Sequence, residues 1–370
     1  MTENEQQLAI RSAAHNADRN FIYHLTRGIN LDFKDDDGLS PVFLATERDH
    51  EDIVTLLLGK GADPNSTNKH GQSPLFLTMQ RNNQHLASIL LEEGADPNLQ
   101  DNDKKSPLHL ATELGHVHLV NVLLANGANP NLDDAEGRTS LSLAAERCLM
   151  SLVGVLVSND LVEKNSKDQN GWTPLSWAAA CGHTELVSMM LDIKSINPHS
   201  QDNSGRTPLS LAAERGHHKI VEILCKHSDP NTRDNLGYTL LWWAAIHKHK
   251  KVAWELVTRD KVTMHLLAQN GVEKLLDLLL GWGYSVDSCD SSGLSLLRIA
   301  IRQKNQGLIK LLLRYSARTE GVSKRNWLDA FSRRAASVVQ ILEAEDGTLE
   351  VNFDPNELMP RPTHAKRQLW

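Results

Sequence analysis

A segment of about 33 residues recurs along this chain of 370 residues, and no other feature limits the possible folds as strongly. The stretch GWTPLSWAAACGHTELV at residues 171–187 returns in altered form as GRTPLSLAAERGHHKIV at residues 205–221. The first residue of the segment recurs at steps of 33, 33, 33, 34, 34 and 32 residues, and we number the copies from it: Gly38, Gly71, Lys104, Gly137, Gly171, Gly205 and Gly237. This regular period predicts an array in which each copy packs on the next.

Each copy carries the signals of two short helices and a turn. A Ser or Thr precedes proline, as at Thr173 and Pro174, so that its hydroxyl can cap a helix that begins at the proline. The pair Gly182 and His183 predicts the end of that helix, because glycine accepts a left-handed C-cap. The apolar residues of EDIVTLLL at 51–58 then fall on one face of a second helix, and GADPN turns the chain toward the next hairpin.

The motifs SPLHLA at 106–111, TPLSWA at 173–178 and TPLSLA at 207–212, with GADPN at 61–65, resemble the ankyrin repeat. This combination of motifs is similar to that of multi-repeat ankyrin proteins of filamentous fungi. The resemblance implies an all-α repeat solenoid. We expect an ankyrin array of about nine helix-turn-helix repeats with hairpin fingers, flanked by N- and C-terminal capping helices.

The pattern divides the chain into four parts. Residues 1–32 keep the helix pair without the TPLH opening, which predicts an N-terminal capping repeat, and residues 33–320 form the solenoid. Residues 321–345 are predicted to form C-terminal capping helices. Residues 346–370 contain three prolines and little apolar periodicity, which favours a disordered tail, with TLEVNF as a short extended alternative.

The eighth copy begins directly after Lys261 without a hairpin, so a finger is missing between copies seven and eight. Two interpretations stay open. One is neutral variation of a loop, and the other is a notch in the binding face or a weak joint.

Composition excludes several classes of function. The net charge of −7 argues against binding nucleic acid or a membrane surface through bulk charge. No apolar run is long enough to span a membrane, and the acidic, polar start MTENEQQ is unlike a secretory signal. Four widely spaced cysteines fit a reducing compartment. We therefore expect an intracellular protein in the cytoplasm, with the nucleus as the alternative.

The sequence contains no recognisable catalytic or metal-binding motif. KDDDG at 34–38 fails as a calcium loop, because Phe33 and Leu44 stand where acidic ligands are needed. Ser142, Ser176 and Ser210 occupy the histidine slot of TPLH and have no assignable acid–base partner. HKHKK at 247–251 is a short basic cluster, interpreted as a solvated turn or as a contact for an acidic partner. We expect no catalysis, no metal and no cofactor.

The resemblance implies that hairpin tips and first helices line a concave binding face. The residue after the hairpin glycine supplies Arg138, Trp172, Arg206 and Tyr238, and the residues before the Gly-His slot supply Arg147, Arg215 and His247. Arginine and aromatic side chains are enriched at interface hot spots, so we predict that these seven residues bind a partner. The alternative is structural, with Trp172 shielding its hairpin.

These features predict a non-catalytic scaffold or adaptor that binds a protein or peptide segment through the concave face. We expect no nucleic-acid, membrane or small-molecule partner. One alternative is an accessory or recruiting protein in a metabolic or biosynthetic pathway, or a ubiquitin-type adaptor. Another is an enzyme whose pocket lies at the missing finger.

Overall fold

The computed structural model describes residues 3–16, 18, 30–259, 264, 267–268, 273–289, 293–318, 339–343 and 349–353. The chain forms two compact units. The first comprises Met1–Ala212 and Lys219–Gly237, and the second comprises Ala213–His218 and Tyr238–Trp370. Each unit is built from the repeats that the sequence predicts, so we describe each by itself.

The repeats alternate a short first helix with a second helix, and helix α1, Glu3–Asn16, precedes them. The first helices are α2 Pro41–Glu47, α4 Pro74–Arg81, α6 Pro107–Glu113, α8 Ser140–Glu146, α10 Pro174–Cys181, α12 Pro208–Glu214, α14 Leu240–Ile246 and α17 Leu296–Arg302. The second helices are α3 Glu51–Leu58, α5 Gln84–Glu92, α7 Val117–Ala125, α9 Met150–Ser158, α11 Thr184–Leu191, α13 His218–Leu224, α15 Lys250–Arg259, α16 Glu273–Gly281 and α18 Gln306–Arg314. The fold class is an all-α repeat solenoid, as predicted.

The predicted caps at the start of the first helices are confirmed. In seven of these helices a hydroxyl accepts a hydrogen bond of 3.2 to 3.4 Å from the backbone N–H three residues later. The capping residues are Ser40, Ser73, Ser106, Thr139, Thr173, Thr207 and Ser295. Thr239 makes no such bond, and Leu240 stands there in place of the proline. The cap satisfies an amide that has no partner within the helix.

A residue with left-handed backbone follows each of several first helices. Gly115, Gly182 and Gly216 adopt φ of 78°, 85° and 81°, as the Gly-His signal predicts. Other copies keep this conformation without glycine, at φ between 54° and 61°: Asp49, Asn82, Cys148, Lys248 and Lys304. The tertiary fold therefore imposes the turn even where the side chain opposes it.

The core of the first unit lies between successive copies. The second-helix residues Ile53, Val54, Leu57 and Leu58 are buried, which confirms the predicted apolar face. First helices pack side by side, α2 on α4, α4 on α6, α6 on α8 and α8 on α10. Small residues, above all alanine, permit this close approach. Each copy thus completes the core of its neighbour.

The hairpin fingers are organised by one Asp or Asn each. Its Oδ1 atom accepts hydrogen bonds of 2.8 to 3.0 Å from the backbone N–H groups two and four residues later. These residues are Asp35, Asn68, Asp101, Asp134, Asp168 and Asp202. Backbone bonds join neighbouring fingers, as from the Asn203 N–H to the Asn170 carbonyl at 3.0 Å. The fingers of the first unit are therefore tied to one another.

The C-terminal part departs from the prediction. Strand β1, Val339–Glu343, pairs antiparallel with β2, Leu349–Phe353, and Val339 lies opposite Phe353. The predicted capping helices of 321–345 are therefore wrong at 339–343, where the backbone pairs with residues 349–353 instead of forming a helix. The disordered tail predicted for 346–370 is wrong at 349–353, where the extended alternative is confirmed.

Several predicted features lie outside the described residues. They are the second helix of the N-terminal cap, the junction after Lys261 where a finger is missing, residues 321–338 of the C-terminal cap, and residues 354–370 of the tail. Helix α1 occupies the first half of the predicted N-terminal capping repeat.

Candidate protein interface

Two of the predicted arginines form ion pairs within their own copies. Arg138 contacts Asp134 at 2.9 Å, and also Glu136 and Glu146 at 3.2 Å each, with 18% of its side chain exposed. Arg206 contacts Asp202 at 2.9 Å, with 22% exposed. Burial lowers the pKa of Arg138, but the hydrogen bond and charge of Asp134 outweigh it and raise that pKa. The guanidinium groups therefore stiffen the fingers before any partner is present.

Trp172 occupies the same position in copy five and is nearly buried, at 9% exposure. Its ring packs with Ala180 and Leu211 and lies 4.7 Å from the ring of Trp177. The indole N–H of Trp177 donates to Asp168 Oδ2 at 3.0 Å. These contacts agree with the structural alternative, in which Trp172 shields its hairpin.

The cationic residue that follows the first position of a copy also contacts the glutamate eight residues further along the chain. Lys105 contacts Glu113 at 2.9 Å, and Arg138 contacts Glu146 at 3.2 Å. Arg147 joins the neighbouring copy, because it donates to the Glu113 carbonyl at 3.3 Å and lies 3.7 Å from the Glu113 carboxylate. Its side chain nevertheless stays 52% exposed, and it can still face a partner.

In the second unit, Tyr238 and His247 belong to a group of rings on and beside helix α14. The Tyr238 ring is stacked on Trp242 at 3.6 Å, and Trp242 meets Trp243 edge to face at 5.1 Å. Trp243 is stacked on His247 at 6.0 Å. The first three side chains are partly buried and His247 is exposed. We call these four residues the aromatic ladder: Tyr238, Trp242, Trp243 and His247.

The structure places some of the predicted residues at one site and others elsewhere. Trp172 and Arg206 line a cleft of about 300 Å³ in the first unit, with Asn170, Trp177, Asn203 and Ser204. Arg215 is exposed directly after helix α12 in the second unit. The sequence predicted Tyr238 and His247 of the ladder, and the structure adds Trp242 and Trp243 between them. The doublet after Tyr238 was the available signal.

The described residues contain no group of three or more His, Cys, Asp or Glu side chains that could hold a metal ion. The hydroxyls of Ser142, Ser176 and Ser210 lie 3.0 to 3.3 Å from the capping threonines, so each completes a helix cap. Helices long and apolar enough to cross a membrane are likewise absent from the described part of the chain.

His109 fills the TPLH histidine slot and is buried. Its Nδ1 accepts a hydrogen bond from the Ser106 N–H at 3.1 Å, so the remaining proton is on Nε2, which donates to the Arg138 carbonyl at 3.1 Å. Burial lowers the pKa of His109 and keeps the ring neutral. This histidine therefore connects copies three and four.

Capped helix pairs, stacked copies and linked fingers define a helical repeat protein of the interaction-module class. The family model described as ankyrin repeats (3 copies) matches residues 8–101, 45–134, 79–168, 108–202, 141–234 and 191–263. The chain therefore belongs to the ankyrin-repeat family. Ankyrin repeats generally mediate protein–protein interaction and are typically non-catalytic. A comparison with curated proteins gave no match.

Proposed function

We propose that this protein is a non-catalytic adaptor that binds a protein partner, with the aromatic ladder of helix α14 as the main contact. The single observation that carries this proposal is the unbroken series of ring contacts through Tyr238, Trp242, Trp243 and His247, two of them stacked and the middle one edge to face. Such rings can bury a large area against a partner, and Trp and Tyr are the residue types most enriched at hot spots.

The stacking also fixes the ladder before a partner binds. The Tyr238 and Trp242 rings are nearly parallel, at 9°, and Trp243 and His247 are at 12°. The turn that follows helix α14 is also held in place. The ring of His249, beside His247, has its Nε2 atom 2.8 Å from the Glu214 carbonyl oxygen. A surface with few free rotamers loses little entropy on binding, which favours affinity.

The partner that fits this ladder is a protein or peptide segment with an apolar or aromatic side chain beside a carboxylate. Exposed Arg215, in the same unit as the ladder, supplies a cation that pairs with the carboxylate, and Arg147 stays a predicted contact of the first unit. Arg138, Trp172 and Arg206 contribute indirectly, because their side chains stiffen the fingers that carry the binding face.

The proposed compartment is the cytoplasm, with the nucleus as the alternative. All four cysteines are free thiols, which is the state that a reducing compartment maintains.

The test is a photo-crosslinking residue at position 247, where the side chain is exposed. Crosslinked partners are identified by mass spectrometry, and the Kd of each purified partner is measured by calorimetry. His247→Ala and Trp242→Ala should weaken binding, the latter by about tenfold or more. Trp242→Phe should keep most of the affinity and checks that the helix still folds.

Leu161→Ala is the matched control, because Leu161 is 72% exposed and lies in the first unit. Its Kd should equal that of the unmodified protein. An unchanged Kd for both His247→Ala and Trp242→Ala, with every crosslinked partner, contradicts the proposal.

A further inference from the structure

A groove of about 420 Å³ lies in the second unit, on residues that the aromatic ladder does not use. Helix α15 contributes Lys250, Lys251, Trp254 and Glu255, and the segment after helix α16 contributes Trp282 and Tyr284. Its composition is unusual for the surface of a second helix, because three aromatic side chains meet two adjacent lysines.

The aromatic part of the groove is incompletely covered. Trp254 is 54% exposed, although its ring packs against Tyr284 at 5.0 Å. The Tyr284 hydroxyl is buried and has no hydrogen-bond partner among the described residues. Burial raises the pKa of Tyr284, so the hydroxyl keeps its proton and can donate. A buried donor without an acceptor is costly, and a ligand that supplies an acceptor removes that cost.

The basic part of the groove concentrates positive charge. The Lys250 ammonium lies 5.8 Å from the centre of the Trp282 ring, and Lys251 has no ion pair with any described residue. Both lysines occupy the first turn of helix α15, where the positive end of the helix dipole adds to their charge. His218 also lines the groove. Glu255 supplies the one carboxylate among the lining residues.

We propose that this groove is a second docking surface, which binds an acidic peptide segment of a partner protein through one aromatic side chain and its neighbouring carboxylates. The aromatic side chain packs on Trp254, and the carboxylates pair with Lys250 and Lys251. This inference goes beyond the proposed function, since the groove and the ladder share no residue.

Charge and shape favour this occupant over others. The volume of about 420 Å³ suits an aromatic side chain with adjoining backbone, and an exposed tryptophan is a typical anchor for a protein partner. The basic cluster HKHKK, which the sequence left open, thereby gains an acidic partner.

The test uses the full chain and a labelled, acetylated and amidated peptide of sequence EEFEE. Fluorescence anisotropy gives the Kd, and the indole N–H resonances of Trp254 and Trp282, assigned from their Phe variants, report the site. We expect saturable binding that shifts both resonances. The peptides EEAEE and QQFQQ should each bind about tenfold more weakly, because each lacks one half of the recognised pattern.

Two variants test the groove itself. Lys250→Glu combined with Lys251→Glu should raise the Kd by about tenfold or more, and it leaves folding intact because acidic residues suit the first turn of a helix. Trp254→Ala should raise it by about fivefold or more, since that ring is the anchor. Lys194→Glu combined with Lys226→Glu is the charge-matched control on exposed lysines outside the groove and should leave the Kd unchanged.

Three results would overturn the proposal. One is an absence of EEFEE binding, or equal binding by QQFQQ. Another is an equal loss in the control double variant, which would indicate bulk charge. The third is self-association of the chain that Trp254→Ala abolishes, because the groove would then be covered by a second copy. The ladder variant His247→Ala, which should weaken binding at the ladder, leaves EEFEE binding unchanged because His247 does not line the groove, so failure here is distinct from failure of the proposed function.

Discussion

The indole N–H of Trp172 donates a hydrogen bond of 3.2 Å to Asp202 Oδ2, in the finger of the next copy. The other oxygen of this carboxylate accepts the N–H groups of Ser204 and Arg206 and so shapes that finger. A single side chain therefore connects the geometry of two neighbouring repeats, and Trp172 acts first as a structural link.

The substitution Trp172→Phe should lower the free energy of unfolding by about 1 to 3 kcal/mol, because a buried carboxylate loses a donor while the aromatic packing is largely kept. Thermal and urea unfolding of the full chain measure this. Trp254→Phe is the control, since Trp254 is 54% exposed and should change stability by less than about 0.5 kcal/mol. Equal midpoints for the two variants would mean that the bond to Asp202 contributes nothing.

Lys104 stands where the other hairpins of the first unit have glycine, and it adopts φ of 56°. The substitution Lys104→Gly should raise stability by about 1 kcal/mol, because the left-handed conformation is strained for a residue with a Cβ atom. The melting temperature reports the change. Asp103→Gly, at a neighbouring residue without positive φ, should not stabilise the chain. If both variants are stabilised, backbone strain at Lys104 is not the cause of the effect.

The helices could be predicted from the sequence because their signals are local. Thr173 caps the helix that begins at Pro174 by a bond that spans three residues, and Gly182 ends it in the left-handed conformation. Such contacts join residues that are close in the sequence, and they recur in almost every copy. The strand Val339–Glu343 was missed because it forms by pairing with Leu349–Phe353, in residues that repeat no other part of the chain.

Whether a predicted site residue is free of contacts within the chain, and so able to bind a partner, could not be predicted in the same way. Whether Arg138 is open to a partner depends on Glu146, eight residues away, and that contact requires the finger to fold over its helix. The repeated spacing from Lys105 to Glu113 was a signal, since it places a cation and a carboxylate in the same two slots. The groove beside Trp254 depends on residues from three copies, two of which have a decayed motif, and no local pattern points to it.

Gly216 and Gly115 give a matched pair for the cost of a side chain at the end of a first helix. Both are left-handed, at φ of 81° and 78°. A Cβ atom on Gly216 would lie 2.5 Å from His249 Nδ1, whereas Gly115 has open space. Gly216→Ala should therefore destabilise by more than Gly115→Ala, which costs about 1 kcal/mol from backbone strain alone.

The background variant His249→Ala separates the two contributions. Without the ring, the added cost of Gly216→Ala should fall to that of Gly115→Ala, a coupling that a double-mutant cycle measures. If the cost is the same with and without the ring, the contact with His249 is not its source.

The buried His109 predicts a dependence of stability on pH. Burial holds its pKa below the ordinary value of 6.5, so under acidic conditions the unfolded chain binds this proton more readily than the folded chain does. The contribution of neutral His109 is complete above pH 6.5 and is lost as the pH falls below it. His109→Ser, which copies the residue of Ser142, Ser176 and Ser210, removes this loss together with the bond to the Arg138 carbonyl.

At pH 8 we expect His109→Ser to be less stable than the unmodified chain by about 1 kcal/mol, the value of one hydrogen bond. At pH 5 the difference should shrink or reverse, because the unmodified chain must then protonate the buried ring or unfold. Urea midpoints at the two pH values measure the change. His70→Ser, at an exposed finger histidine, should show the same difference from the unmodified chain at both. A gap for His109→Ser that widens toward pH 5 would require a charged ring in the folded state, contrary to its bond from the Ser106 N–H.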